Sequence, residues 1–204
     1  MSKPLIIGFD LSTYVRAARM VLAEKGVDYD LQPARPHAPE VLAIHSFGKI
    51  PAFRHGEVEI FETLAIAAYA DVTFDGPAVI PDAARVETLQ WCSAYMDNVA
   101  ANLIAVILER LVFEQPNETR IAELTPLVRA KLEIFDAHLA DRDWLAGEDV
   151  TLADLFLAPP MFYVPLLPEK AALTDGLENL SRWYARMGAR ASFAATAPNL
   201  AAAA

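Results

Sequence analysis

The pattern of apolar residues changes character once along the chain, and that change limits the fold more than any other feature. Up to residue 71, short apolar runs alternate with amphipathic ones. LIIGF at 5–9 reads as a buried strand, and 14–25 as a helix with Val15, Ala18, Met20, Val21 and Leu22 on or near its apolar side. Gly26 is well placed to end that helix. VDYDLQP at 27–33 alternates like a strand, and 39–45 fits a short helix. AFR and EVEIF, joined through His55 and Gly56, read as a tight antiparallel hairpin, and 63–71 is helical again. The order is β-α-β-α-β-β-α, in which the crossover requires a parallel strand pair and the hairpin an antiparallel one. Residues 72–83 contain Gly76, Pro77 and Pro81, a linker signal. Beyond them, 84–113 and 118–141 are long apolar-periodic segments without strand alternation. Two domains follow: a small α/β domain over 1–75 and an all-α domain over 84–204.

With 204 residues the chain can bury a substantial core, and 54% hydrophobic against 22% charged residues marks it as globular. The longest apolar stretch, 155–168, is too short to span a bilayer and carries Pro159, Pro160, Pro165 and Pro168. The N-terminus shows no basic leader followed by a long apolar region. A soluble, cytoplasmic protein with no membrane partner is the expectation. A net charge of −10 argues against nucleic acid, which needs a basic stripe to displace counterions. It leaves room for a small anion held by a few local Arg and Lys side chains. The single cysteine, Cys92, excludes an intramolecular disulfide or a CxxC pair and reads as a small buried hydrophobe. The four histidines show no metal-ligand spacing, so no metal is expected.

Four stretches carry recognisable chemistry: LSTYVRAARMVLAEKGVDYDL, FGKIPAF, IFETLAIAAYA and WLAGEDVTLADLFLAP. In their order and spacing they resemble the cytosolic glutathione transferases over nearly the whole chain. The first stretch is closest to the serine-type classes, including plant phi-like and many bacterial members. The resemblance implies a thioredoxin-like N-terminal domain followed by an all-helical C-terminal domain, with glutathione as co-substrate and a small hydrophobic electrophile as its partner.

Several residue roles come with it. Ser12 stands where related redox proteins carry a cysteine, and the resemblance makes its hydroxyl the contact to the glutathione sulfur. Read alone, a Ser before a helix is a cap, and Thr13 and Tyr14 are alternative sulfur contacts. A cis Ile50-Pro51 bond is implied, turning the Ile50 N–H and C=O toward the tripeptide like an added strand. Glu62 is implied to bind the γ-glutamyl amine and Thr63, opening a helix, its carboxylate. His37 and Lys49 are implied partners for the glycine carboxylate. Tyr14, Tyr95 and Tyr163 are candidates for the electrophile pocket, although aromatic residues at helical spacing are usually core. Phe47 stands where the family places a residue that locks two subunits, which implies a homodimer. An acidic residue at Asp97 reaches across the dimer to glutathione in some classes. Thr151 and Asp154 have capping-box spacing and are assigned to folding. The activity implied is attack of a glutathione thiolate on an apolar electrophile, by conjugation or hydroperoxide reduction. A glutathione-dependent isomerase or dehalogenase, and a non-catalytic protein on the same fold serving stress regulation or assembly, are the alternatives.

Overall fold

A computed structural model describes residues 2–200. The chain divides into two compact units, one comprising residues up to Ile80 plus the segment from Ala189, the other Pro81–Gly188.

The first unit is built on a four-stranded sheet. Its strands are β1 (Leu5–Ile7), β2 (Asp30–Gln32), β3 (Ala52–His55) and β4 (Val58–Phe61), in the order β2-β1-β3-β4. β1 pairs parallel with β2 through α1 (Thr13–Glu24), and β3 runs antiparallel to both β1 and β4. Two-residue alternation sorts the side chains. Leu5 and Ile7 share a face with Ala52, the partner of Ile7, and pack with Ala34, Val41 and Ile44 around α2 (Pro39–Leu42). Ile6 and its partner Phe53, both fully buried, take the opposite face. The strand expected over 27–33 is only three residues long, because β1 offers three partners in register. Helix α3 (Thr63–Thr73) follows the hairpin and packs on α1.

The first unit also extends beyond residue 75. Lys25, buried, reaches the carboxylate of Asp71 at 3.4 Å and the carbonyl of Pro77 at 3.2 Å. Asp71 in turn accepts from the amides of Val79 (2.7 Å) and Ile80 (3.2 Å), so the linker is tied down along its length.

The second unit contains helices α4 (Arg85–Ala94), α5 (Ala101–Leu111), α6 (Glu118–His138), α7 (Leu152–Met161), α8 (Lys170–Thr174) and α9 (Glu178–Gly188). A π-helical turn over Tyr95–Ala100 joins α4 to α5. Helix α7 is apolar on all sides except Asp154 and every residue in it is buried, as such a composition requires. The continuous run Asp82–Leu111 has the length and hydropathy of a membrane span, yet half of its apolar window is buried within the protein, as in a core helix.

The sequence reading assigned all of 84–204 to the helical domain; the chain from Ala189 belongs instead to the first unit. Helix α10 (Ala191–Ala195) and its flanks are held by side chains on or just before α1. Arg16 donates to the Phe193 carbonyl at 2.9 Å and lies 4.1 Å over the Phe193 ring. Arg190 makes two bonds to Glu24, at 2.7 and 2.6 Å, and the Ser192 hydroxyl makes a third. The Asn199 amide donates to Asp10 at 2.8 Å.

Candidate active site

Three segments of the first unit converge at one end of the sheet. They are the start of α1, the loop before β3 and the start of α3. The close approach is visible at Gly8, where a Cβ would lie 2.5 Å from the Val15 side chain and 3.3 Å from Ile50. The Thr63 hydroxyl donates to the Tyr14 carbonyl at 3.4 Å, joining the two helix starts.

At the start of α1, the Ser12 oxygen accepts from the Val15 amide at 3.3 Å, so Ser12 is the N-cap. The cap uses an oxygen lone pair and leaves the O–H proton available to an acceptor. The first turn has no acidic residue. Its backbone ladder opens with Arg16 N–H to Ser12 C=O at 2.9 Å. This is a favourable setting for an anion.

Helix α3 opens in a similar way. Glu62 is its N-cap residue, with φ at +72°, a conformation non-glycine residues rarely adopt. Its side chain makes no capping bond and is 60% exposed. The helix begins its ladder at Ile66 N–H to Glu62 C=O, leaving the Thr63, Leu64 and Ala65 amides without an intrahelical acceptor. Local strain of this kind, with a carboxylate held outward, is characteristic of a binding position.

The loop before β3 contains the cis Ile50-Pro51 bond. Ile50 is half-buried and packs on the α2-side core, while Lys49 is exposed. His37 also has positive φ, and its amide donates to the Gly48 carbonyl at 2.7 Å. Position 48 must be glycine: φ is +65°, and a Cβ would sit 2.3 Å from the His37 ring. His37 and Lys49 are thereby held on two clasped loops.

One residue at the site carries no functional signal in the sequence. His45 is 2% exposed, and its Nε2 lies 3.9 Å from the Glu62 carboxylate. Its ring tilts over Phe61 at 4.6 Å and meets the exposed Phe47 edge-on at 6.3 Å. Burial pushes its pKa down, with Lys49 pulling the same way and Glu62 opposing.

Comparisons with known proteins identify the family. The glutathione S-transferase N-terminal domain family matches residues 6–78, and the glutathione S-transferase C-terminal domain family matches 82–191. The chain belongs to the glutathione S-transferase family. It is 30% identical to glutathione S-transferase 4 of Zea mays, over 91% of this chain and 87% of that one. Among solved structures it superposes on apo glutathione S-transferase III with a TM-score of 0.87, 27% identity and coverage of 96% and 95%. A glutathione S-transferase from Methylobacillus flagellatus with glutathione bound gives 0.80, 26% identity and coverage of 97% and 100%.

Two of the electrophile-pocket candidates lie in the helical unit of this transferase. Tyr95 and Tyr163, candidates for the electrophile pocket, are 1% and 4% exposed. Neither lines the cavity of about 240 Å³ in this unit, which is bounded by Met161, Val164, Leu180 and Tyr184 among others. Tyr14, the third candidate, is half-buried in the first turn of α1. Asp97 is exposed in the π-helical turn and accepts from the Ser93 hydroxyl at 2.7 Å. Cys92 is fully buried, and burial pushes its thiol up to about 12, which makes it inert as a nucleophile. Among the described residues, no group of three or more His, Cys, Asp or Glu side chains is arranged to hold a metal ion.

Proposed function

We propose that this protein is a glutathione transferase in which the first unit binds glutathione and ionises its thiol for attack on a small apolar electrophile. The observation that carries the reading is the meeting of two helix starts, α1 and α3, with the Thr63, Leu64 and Ala65 amides of α3 lacking intrahelical acceptors. Glu62 binds the γ-glutamyl amine, and the α3 amides from Thr63 onward bind the neighbouring carboxylate. Ile50 pairs with the peptide backbone ahead of Pro51, and His37 and Lys49 take the glycine carboxylate. Ser12 donates to the sulfur from the start of α1.

A hydroxyl is no base at neutral pH; it acts by stabilising the thiolate and so lowering the thiol pKa. A free thiol near pKa ~8.5 is roughly 3% ionised at pH 7, and at pKa ~6.5 it is roughly 75% ionised, about a 25-fold gain. The weaker base is also a weaker nucleophile, and a Brønsted coefficient near ~0.45 removes roughly 8-fold. The net gain is about threefold. Most of the acceleration therefore comes from holding the electrophile against the sulfur, where orientation contributes several kcal/mol.

We place this chemistry in the cytoplasm, where thiols are kept reduced, and in a homodimer. Phe47, 67% exposed beside Phe61, is an apolar anchor that a second subunit would cover.

Calorimetric titration with reduced glutathione tests the reading. Wild type is expected to bind, and Glu62→Gln to bind at least tenfold more weakly, because a charge-assisted contact contributes about 1.5–3 kcal/mol. A folded wild type that does not bind at millimolar concentration contradicts it and favours the non-catalytic scaffold.

A further inference from the structure

We infer that His45 is a positioning residue for Glu62, aiming its carboxylate at the γ-glutamyl amine and linking the Phe47 loop to that contact. The inference rests on the glutathione reading of the site. The Phe47 amide donates to His45 Nδ1 at 3.3 Å. A backbone N–H can only donate, so the neutral ring carries its proton on Nε2. Nε2 is the atom 3.9 Å from Glu62 Oε1. That separation is longer than a hydrogen bond, but it places the N–H beside a carboxylate whose side chain is 60% exposed.

The ring cannot turn away easily. It is 2% exposed, tilted over Phe61 at 4.6 Å and edge-on to Phe47. Phe61 directly precedes Glu62, so the same stacking that fixes the imidazole also fixes the backbone from which the carboxylate projects. Glu62 needs such support, because its φ of +72° is unfavourable and its side chain has no capping bond to hold it.

The charged groups bearing on the ring are Glu62 and Lys49. Burial disfavours the imidazolium, Lys49 disfavours it further, and Glu62 opposes both; the balance keeps the ring neutral to a lower pH than an ordinary histidine. When it does charge, the new cation sits beside Glu62 and competes with the substrate amine. Glutathione affinity then falls as pH drops through that titration.

The test compares reduced glutathione with N-acetylated glutathione, whose amine is blocked, on the full chain. His45→Leu is expected to weaken glutathione roughly 3- to 10-fold and to leave the blocked analogue unchanged. His45→Gln has an amide able to accept from Phe47 N–H and donate toward Glu62. It is expected to restore affinity and to remove the imidazole's share of the acid limb, so that the loss of binding begins at lower pH than in the wild type. An equal loss for both ligands, or none for either, overturns the positioning role while the glutathione reading stands. If His45→Leu does not fold, an acid limb at the same pH in His45→Gln as in the wild type overturns it. A wild type that binds neither ligand overturns both readings.

Discussion

Two helix starts in this molecule use the same residue types to opposite ends. At α7, Thr151 and Asp154 form a closed capping box. Asp154 accepts from the Thr151 amide (2.9 Å) and hydroxyl (3.0 Å), the Leu145 amide (2.9 Å) and the Trp183 indole (2.8 Å), all buried. Nothing there is left for a ligand. At α3, Glu62 and Thr63 also pair an acid with a hydroxyl at a helix start, yet the carboxylate points outward and three amides have no intrahelical acceptor. The difference teaches that a carboxylate's satisfaction, more than its presence at a helix start, separates a folding role from a binding one.

The comparison can be broken at several points, and the largest effect is expected at Asp154. Asp154→Ala leaves buried donors unpaired, including the Trp183 N–H, and is expected to cost about 3–5 kcal/mol in urea unfolding. Whatever fraction folds should still bind glutathione. At α3 the expectation reverses: Glu62→Ala removes the amine contact, lowers glutathione affinity about tenfold or more and leaves the unfolding midpoint within experimental error.

A third change tests a satisfied carboxylate inside the binding unit. Burial by itself raises the pKa of Glu24, but Arg190 and Ser192 outweigh it and hold the group below the usual carboxylate range. A depressed acid stabilises the folded state above its unfolded pKa, and this contribution is lost as pH falls through the folded value. Glu24→Gln is therefore expected to cost about 1–2 kcal/mol at neutral pH. The deficit should shrink toward zero below about pH 4, as followed by thermal unfolding across pH. An equal deficit at all pH values would assign the effect to packing.

These contrasts also mark what was readable in the sequence. The capping box at Thr151 and Asp154 was legible because its geometry is set by a three-residue spacing. So were the strand-helix order, the hairpin over Ala52–Phe61 and the glycine-proline linker, each a local pattern. The return of the chain from Ala189 to the first unit was not. It depends on Arg16, Glu24 and Asp10 meeting partners more than 160 residues away, and no periodicity announces such pairs. The π-helical turn at Tyr95–Ala100 was invisible for a related reason, since one extra residue in a turn scarcely alters an apolar pattern. At the site, Ser12, Ile50, Pro51, Glu62 and Thr63 were named through family resemblance, and the structure brings their segments together. His45 escaped because its importance lies in burial under Phe61 and in the tautomer that the Phe47 amide selects. Tyr95 and Tyr163 are buried, and aromatic spacing alone looks the same in a core and in a pocket.

The sharpest chemical test falls on Ser12. Ser12→Ala removes a cap worth about 1 kcal/mol, but its main effect should be on the ligand. The decisive measurement is the ultraviolet thiolate absorbance of bound glutathione, titrated against pH in wild type and in Ser12→Ala. In the wild type the bound thiol is expected to ionise well below the free value of about 8.5. In Ser12→Ala, binding should persist while ionisation moves back up toward that value. A variant whose bound thiol ionises as readily as the wild type's would contradict the account, leaving Ser12 as a cap alone.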